Sequence, residues 1–206
     1  MIKAKKSLGQ NFLIDQNIIN KIINIGNIKK DSKILEIGPG YGSLTKKILE
    51  KKPKKVFVVE KDKELISALR NKFGKYKCLR IIHGDILNIK KLENEDKNII
   101  VFGNLPYNIS TQILASLILN SKTKPWFKLL ILMFQKEVAD RIIAQLNTSA
   151  YGRLSILANW RLKINKICDI SPESFSPRPK IQSSLIHFTP KKDFAEIKDP
   201  INLEKI

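Results

Sequence analysis

The 206-residue chain is long enough to bury one hydrophobic core, and its 43% hydrophobic and 28% charged residues exclude a disordered or fibrous polypeptide. Its 38 Lys and Arg against 19 Asp and Glu point to a nucleic-acid partner, although 32 of these cations are lysine and a biased genome produces the same excess. Two cysteines and two separated histidines exclude a disulfide framework and a metal site of ordinary spacing, and no apolar run is long enough to span a membrane.

Strand-like and helix-like segments alternate along the first two thirds of the chain. Ser43 is predicted to cap a helix that Pro53 closes, and Asp62 is predicted to cap the helix after the second strand. We predict strands at Lys33–Ile37, Lys55–Glu60, Cys78–Ile82, Asn98–Gly103 and Phe127–Phe134, and a helix at Ser110–Asn120. This alternation predicts an α/β fold with a parallel sheet covered on both faces.

The order becomes less regular after Gln135. We predict helices at Gln135–Leu146 and Arg153–Arg161 and late strands at Lys163–Ile170 and Ser184–Thr189. A short proline-bearing loop joins the late strands, and it suits an antiparallel pair at the sheet edge because a parallel return needs a longer crossover. We expect a catalytic domain over residues 1–190, followed by a tail or the start of a further unit over residues 191–206.

The segment from Glu36 to Gly42 (EIGPGYG) lies between the first predicted strand and its helix. Glycines such as Gly38 and Gly40 let the backbone approach a ligand closely, and the carboxyl edge of an open α/β sheet is where small molecules bind. Dinucleotide-binding loops carry a third glycine where this chain has Ser43, which disfavours a nicotinamide-dependent oxidoreductase. A turn without a ligand is the remaining alternative.

Carboxylates follow the next two predicted strands. Glu60 ends the second strand, where it can accept hydrogen bonds from both hydroxyls of a ribose. Asp85 closes the third strand and can accept a bond from an adenine amine, with Ile86 packing on the ring. Alone, Asp85 is equally a helix N-cap. Together the two carboxylates predict a cofactor that contains adenosine.

The most specific motif is Asn104-Leu105-Pro106-Tyr107, directly after the fourth predicted strand. An exocyclic amine carries two hydrogens, and the Asn104 side-chain oxygen and the Leu105 carbonyl can accept both. Pro106 fixes the turn, and Tyr107 can stack on an unpaired base, a contact that contributes roughly 1–3 kcal/mol. A simple β-turn is the structural alternative.

Six motifs in combination resemble the KsgA-type ribosomal RNA adenine dimethyltransferases. They are Ser7–Leu13, the glycine loop, Asn104–Thr111, Gln135–Val138, Tyr151–Ser155 and Phe175–Lys180, and the resemblance covers about residues 5 to 190. It implies a class I methyltransferase, Rossmann-like, with a mostly parallel seven-stranded sheet and an antiparallel edge. It also implies dimethylation, with S-adenosylmethionine as the methyl donor, of two adjacent adenosines in a hairpin loop near the 3′ end of 16S rRNA.

The resemblance further implies the roles of individual residues. The positions that match the family's S-adenosylmethionine contacts are Asn11, Leu13, Gly38, Glu60, Asp85 and Asn104, with the segment around Asn11 lying over the cofactor. Phe175 matches the aromatic residue that closes on the target base opposite Tyr107. Without the resemblance, Phe175 is equally a core anchor.

Related antibiotic-resistance methyltransferases act on large-subunit rRNA, but Pro39, Leu105 and Ser7–Gln10 favour the small-subunit type. A non-catalytic RNA-binding assembly factor is the other alternative, which the intact Asn104 motif disfavours. Members of the family normally continue into a small helical C-terminal domain, which we expect to be largely missing here. We expect a cytoplasmic monomer, without a metal or membrane contact, that binds 16S rRNA in the small ribosomal subunit.

Overall fold

The computed structural model describes residues 4–89, 98–120, 125–195 and 197. The helices in these ranges are α1 (Gln16–Gly26), α2 (Ser43–Glu50), α3 (Lys63–Phe73), α4 (Ser110–Leu119), α5 (Lys136–Ile143) and α6 (Arg153–Arg161). The strands are β1 (Phe12–Leu13), β2 (Lys33–Ile37), β3 (Lys55–Glu60), β4 (Leu79–His83), β5 (Ile99–Asn104), β6 (Phe127–Gln135), β7 (Leu162–Ile170), β8 (Phe175–Ser176) and β9 (Ser183–Pro190). Every predicted strand is confirmed to within about one residue at either end.

The main sheet within the described residues has seven strands in the order β4-β3-β2-β5-β6-β9-β7. Strands β2 to β6 are parallel, whereas β9 runs antiparallel to both β6 and β7. The predicted antiparallel pair at the sheet edge is therefore confirmed, with β7 as the outermost strand and β9 between β6 and β7. Burial agrees with this order, because β9 is buried on both faces while β7 alternates between buried and exposed residues as an edge strand does.

Helices cover both faces of the sheet. On one face α1, α2 and α3 pack on strand residues such as Ile34, Val56 and Val58. On the other face α4, α5 and α6 pack on residues such as Leu35 and Phe57. Neighbouring strand residues thus face opposite layers, as the alternation of a pleated strand requires. The predicted α/β fold with a sheet covered on both sides is confirmed.

The helix boundaries agree with the prediction at one helix and differ from it at two others. Asp62 caps α3 as predicted, since its carboxylate accepts a hydrogen bond from the Glu64 amide at 3.0 Å. Ser43 does not cap α2; it is the first helical residue, and Gly42 precedes it in the left-handed conformation. Helix α5 ends before the predicted Leu146, which is 70% exposed and has no core to cover.

Helix α1 is an element for which no prediction was made. Asp15 caps it by accepting bonds from the Asn17 and Ile18 amides, and its spaced isoleucines Ile19 and Ile22 are buried. No helix in the described part of the chain is long and apolar enough to cross a membrane.

The chain after β9 packs back on α6. The Trp160 indole donates to the Ala195 carbonyl at 2.7 Å, and the Lys191 amide donates to the Arg161 carbonyl at 2.8 Å. Residues 196 and 198–206 of the predicted tail lie outside the described ranges. The division at residue 190 therefore stays a prediction.

Candidate active site

A cavity lies at the carboxyl edge of the sheet, where β2, β3, β4 and β5 end. It comprises about 970 Å³ of space out to its open mouth. Ten of the twelve predicted site residues line it: Asn11, Gly38, Gly40, Glu60, Asp85, Ile86, Asn104, Leu105, Pro106 and Tyr107. Parallel strands end at one edge of a sheet, so residues far apart in the chain meet there, as open α/β folds require of a ligand site.

The glycine loop forms the floor of this cavity next to the N-terminal segment. Gly38 and Gly40 have φ angles of 65° and 56°, in the left-handed region that side chains other than glycine rarely adopt. A Cβ atom on Gly40 would lie 2.6 Å from the Phe12 ring. The loop therefore needs glycine for its backbone conformation and, at Gly40, for space.

Glu60 is held by main-chain amides at the end of β3. One carboxylate oxygen accepts bonds from the Lys61 and Asp62 amides at 2.8 and 2.9 Å, and the other accepts from the Gly40 amide at 3.3 Å. Burial raises the pKa of Glu60, and the three amide donors oppose that rise. The carboxylate is thus fixed in orientation before any ligand arrives.

Asp85 is the N-cap that one of its two interpretations predicted, and its bond to an adenine amine stays a prediction. One of its oxygens accepts from the Leu87 amide at 3.1 Å and caps the short turn at Ile86–Asn88. The other accepts from the Lys61 ammonium at 2.9 Å, and this contact lowers the pKa of Asp85. The residue is an N-cap and also a wall of the cavity.

Contacts that the sequence did not predict hold the N-terminal segment against the cavity. The Lys5 ammonium lies 2.8 Å from Asp62 and 2.9 Å from Glu64, and the Gln10 amide donates to Asp62 at 3.0 Å. Residues Ser7 to Phe12 line the cavity wall. The segment is therefore tied to the start of α3, beside Glu60.

Asn104, the last residue of β5, connects the strand end to this segment. Its side-chain amide nitrogen donates to the Asn11 carbonyl at 2.6 Å. A main-chain carbonyl can only accept, so the NH₂ group must face Asn11 and the Asn104 side-chain oxygen remains an acceptor. The following Leu105 is 2% exposed, and the Ile109 amide closes the turn on the Pro106 carbonyl at 3.1 Å.

Tyr107 is fixed at its hydroxyl group. It lies 2.6 Å from the Ser183 hydroxyl, at the start of β9, and burial raises the pKa of Tyr107. Ser183 is fully buried. Its role as the partner of Tyr107 was not predicted, because nothing in the local sequence around Ser183 indicates a contact with a residue 76 positions away.

Two predicted site residues do not reach the wall of the main cavity. Leu13 is 6% exposed and lines a smaller adjoining cavity, and Phe175 is 3% exposed in the hydrophobic core. The two are paired across β1 and β8. In this structure Phe175 has the position of a core anchor, and its closure on a base opposite Tyr107 stays a prediction that requires its side chain to move.

Glu36 is a buried acid that the sequence showed only as a member of the glycine loop. It is 2% exposed and lines the smaller cavity together with Gly38 and Asn104. The Thr45 hydroxyl donates to its carboxylate at 2.6 Å. Burial raises the pKa of Glu36 to about 7.

No group of three or more potential metal ligands occurs among the described residues. Cys78 and Cys168 are partly buried and pack against the hydrophobic core. The absence of a metal requirement stays a prediction.

Residues 1–206 match the family model of the ribosomal RNA adenine dimethylases. The chain belongs to this family. A protein of Pelagibacter ubique, strain HTCC1062, named ribosomal RNA small subunit methyltransferase A, is 58% identical over 205 residues, which cover 100% of this chain and 77% of the relative. The protein of the same name from Wolbachia pipientis, strain wPip, is 44% identical over 194 residues, which cover 92% of this chain and 71% of the relative.

Two solved structures are similar to this member of the dimethylase family. A dimethyladenosine transferase from Plasmodium falciparum has a TM-score of 0.77 and 35% identity, with 88% of this chain and 64% of that chain covered. This chain thus spans just under two thirds of the length of that protein. The 23S rRNA methyltransferase ErmE has a TM-score of 0.75 at 23% identity, with 95% of this chain and 75% of that chain covered, and shows the shared fold.

Membership in the dimethylase family confirms the resemblance drawn from the motifs, the class I methyltransferase fold and the predicted enzyme class, an S-adenosylmethionine-dependent rRNA methyltransferase. The cavity fits that cofactor on its own evidence. Gly38, where an added Cβ would have only the Asn104 carbonyl within 4 Å, leaves the main chain open to the cavity, and Glu60 presents an oriented carboxylate in the same cavity.

Proposed function

We propose that the chain dimethylates the exocyclic amines of two adjacent adenosines in a hairpin loop near the 3′ end of 16S rRNA, acting as a cytoplasmic monomer on the small ribosomal subunit. The observation that carries the proposal is the meeting of Asn104 and Tyr107 with Glu60 and Asp85 around one cavity. The names of the curated relatives support the small subunit as the substrate.

The cofactor half of the cavity is the part next to β2, β3 and β4. S-adenosylmethionine supplies a methyl group on a sulfonium, which is reactive enough that the protein needs no nucleophile of its own. Glu60 would accept from the ribose through Oε2, since its three main-chain donors occupy both lone pairs of Oε1 but only one of Oε2. Asp85 would accept from the adenine amine, with Ile86 against the ring. Gly38 and Gly40 would allow the main chain to approach the cofactor.

The target half of the cavity is the turn after β5. The amine of adenine is conjugated to its ring and is a weak nucleophile, so acceptors that bind its hydrogens, two before the first transfer and one before the second, localise the lone pair for attack. The amine nitrogen releases one proton in each transfer. The Asn104 side-chain oxygen is one acceptor, because its nitrogen is bound to Asn11, and the Leu105 carbonyl is the other. Positioning and electrostatics then carry most of the rate.

The target base must leave its stack to enter the cavity. Tyr107, held by Ser183, offers a ring whose position is fixed before the base arrives. Stacking on such a ring offsets part of the cost of flipping the base out of its loop. Phe175 would close from the other side after its side chain moves out of the core.

The experiment that tests this function is methyl transfer from labelled S-adenosylmethionine to undermethylated small ribosomal subunits, followed by mapping of the modified bases. Asn104→Ala should lower the rate at least 100-fold, since it removes an acceptor used in the transition state, while RNA affinity stays within about threefold. Asn165→Ala, on the edge strand β7, is the matched control. An Asn104→Ala protein with more than a tenth of normal activity, or label found only outside the hairpin loop near the 3′ end of 16S rRNA, would refute the proposal.

A further inference from the structure

Lysines are concentrated at the amino edge of the sheet, opposite the cavity. The loops that lead into β2, β3 and β4 are residues 29–33, 50–55 and 74–78. These three loops contain nine lysines and two acids. Seven of the lysines are exposed: Lys29, Lys30, Lys51, Lys52, Lys54, Lys75 and Lys77. We call these seven residues the amino-edge lysines.

The three loops adjoin one another and form one surface. The Ser32 carbonyl accepts from the Lys54 amide at 3.0 Å, which joins the first loop to the second. The Cys78 carbonyl accepts from the Val56 amide at 2.8 Å, which joins the second loop to the third. Because β2, β3 and β4 are parallel and in register, their amino ends lie side by side.

The two edges of the sheet differ in how their lysines are paired. Near the cavity, Lys5 contacts Asp62 and Glu64, and Lys61 contacts Asp85. Within the described ranges, none of the amino-edge lysines forms an ion pair with a carboxylate. Glu50, one of the two acids in these loops, pairs instead with Lys47 on α2 at 3.0 Å. Crowded like charges disfavour the folded state, and a bound polyanion offsets that cost.

An exposed aromatic ring lies within this basic surface. Tyr76 is 36% exposed between Lys75 and Lys77, and its ring rests on Phe73 at a centroid distance of 6.4 Å. The Lys75 ammonium lies 5.8 Å from the Tyr76 centroid. Lysines interspersed with a ring are typical of surfaces that bind RNA. A membrane-binding surface needs several apolar side chains to insert, and Tyr76 is the one large exposed hydrophobic residue described in the three loops.

We propose that the amino-edge lysines form a second RNA-binding surface, which contacts the phosphates of an rRNA segment other than the one that enters the cavity. The inference rests on the proposed function for its substrate, the small ribosomal subunit. Strands of five or six residues separate the two edges by roughly 20 Å, so the nucleotides next to the target adenosine do not reach the lysines. The whole small ribosomal subunit, and not a short hairpin, supplies the second segment.

The test compares two triple variants of the 206-residue chain that lose the same charge. One carries Lys30→Gln, Lys54→Gln and Lys77→Gln at the amino edge. The control carries Lys21→Gln, Lys163→Gln and Lys192→Gln, which are exposed lysines outside the three loops. Affinity is measured for small ribosomal subunits and for a short RNA hairpin over a range of salt concentrations. S-adenosylmethionine affinity, measured by calorimetry, reports whether the cavity is intact.

The amino-edge variant should bind subunits at least about tenfold more weakly at 0.15 M salt. Its slope of log affinity against log salt should be shallower by about 2 to 3, because each lost phosphate contact removes about 0.7 to 0.9. Its affinity for the hairpin and for S-adenosylmethionine should match the control. Equal losses in both variants would overturn the inference and attribute the excess lysine to composition.

Vesicles that contain phosphatidylserine provide the membrane arm of the test. If the amino-edge variant loses vesicle binding but keeps full subunit binding, the surface is a membrane contact and the inference is wrong. The proposed function fails separately, namely if the wild-type chain binds subunits and S-adenosylmethionine but transfers no methyl group. That result would leave the comparison of subunit affinities intact.

Discussion

Replacing Glu36 by Gln should make the stability of the protein less dependent on pH. Glu36 is 2% exposed and accepts a bond from Thr45, and burial raises its pKa from the ordinary 4.5 to about 7. The folded state therefore holds the proton more tightly than the unfolded state does. As pH rises from about 4.5 to about 7 the unfolded chain releases this proton first, so the free energy of unfolding falls through that window.

The size of the effect follows from the two pKa values. At about 1.4 kcal/mol per pKa unit, the rise to about 7 corresponds to about 3 kcal/mol lost across the whole window. Because Glu36 is buried, solvent screening does not reduce this figure much. At pH 5 the unfolded carboxyl is already largely ionised, so about 2 kcal/mol of the loss remains between pH 5 and pH 8.

Urea unfolding of the wild type and of Glu36→Gln at pH 5 and pH 8 measures this difference. The amide has the shape of the carboxyl, and any constant cost of its unpaired NH₂ cancels when the two pH values are compared. Glu36→Gln should gain about 2 kcal/mol relative to wild type on going from pH 5 to pH 8. Glu50→Gln, at an exposed position, should change by well under 1 kcal/mol. A change at Glu36 below about 0.5 kcal/mol would refute the reasoning, because it would mean that Glu36 titrates like an exposed acid.

Two further predictions concern the cavity. Tyr107→Phe and Ser183→Ala should each lower kcat about 3- to 10-fold, the value of one hydrogen bond, and the double variant should be no slower than either single variant; additive losses would contradict a shared role. Gly40→Ala should weaken S-adenosylmethionine binding at least tenfold in calorimetry, because its Cβ would collide with the Phe12 ring. Gly152→Ala, with open space around it, should bind within about twofold of wild type, and equal effects at the two glycines would contradict a specific need for glycine at position 40.

The parts of the fold that local pattern determines were predictable. Runs such as Val56–Val59 and Ile99–Phe102 are apolar on both faces, so they indicated buried parallel strands whatever their neighbours were. The place of β9 was not predictable in the same way. A short loop before Ser183 indicates an antiparallel partner but does not determine which strands lie on its two sides.

The candidate site likewise has a part that local pattern predicts and a part that it does not. Residues at strand ends, such as Glu60 and Asn104, converge because the fold brings all carboxyl ends of parallel strands to one edge. The partners that hold them come from elsewhere in the chain. Asn104 contacts a residue 93 positions away and Lys5 contacts one 57 positions away, and neither spacing leaves a local pattern. Leu13 and Phe175 were predicted as site residues from motifs alone, and motifs do not distinguish a wall of the cavity from the core behind it.

The pairing of lysines near the cavity affects which lysines of this rRNA methyltransferase can bind RNA. Lys5 and Lys61 are both engaged by carboxylates at the rim, so their contribution to the field at the mouth is largely cancelled. That arrangement suits a pocket that must admit a neutral purine and a cationic sulfonium without attracting phosphate into it. It also means that these two lysines add little to the affinity for the RNA backbone. The amino-edge lysines lie at the opposite edge of the sheet, and their distance from the cavity separates binding of the large substrate from the chemistry at a single base.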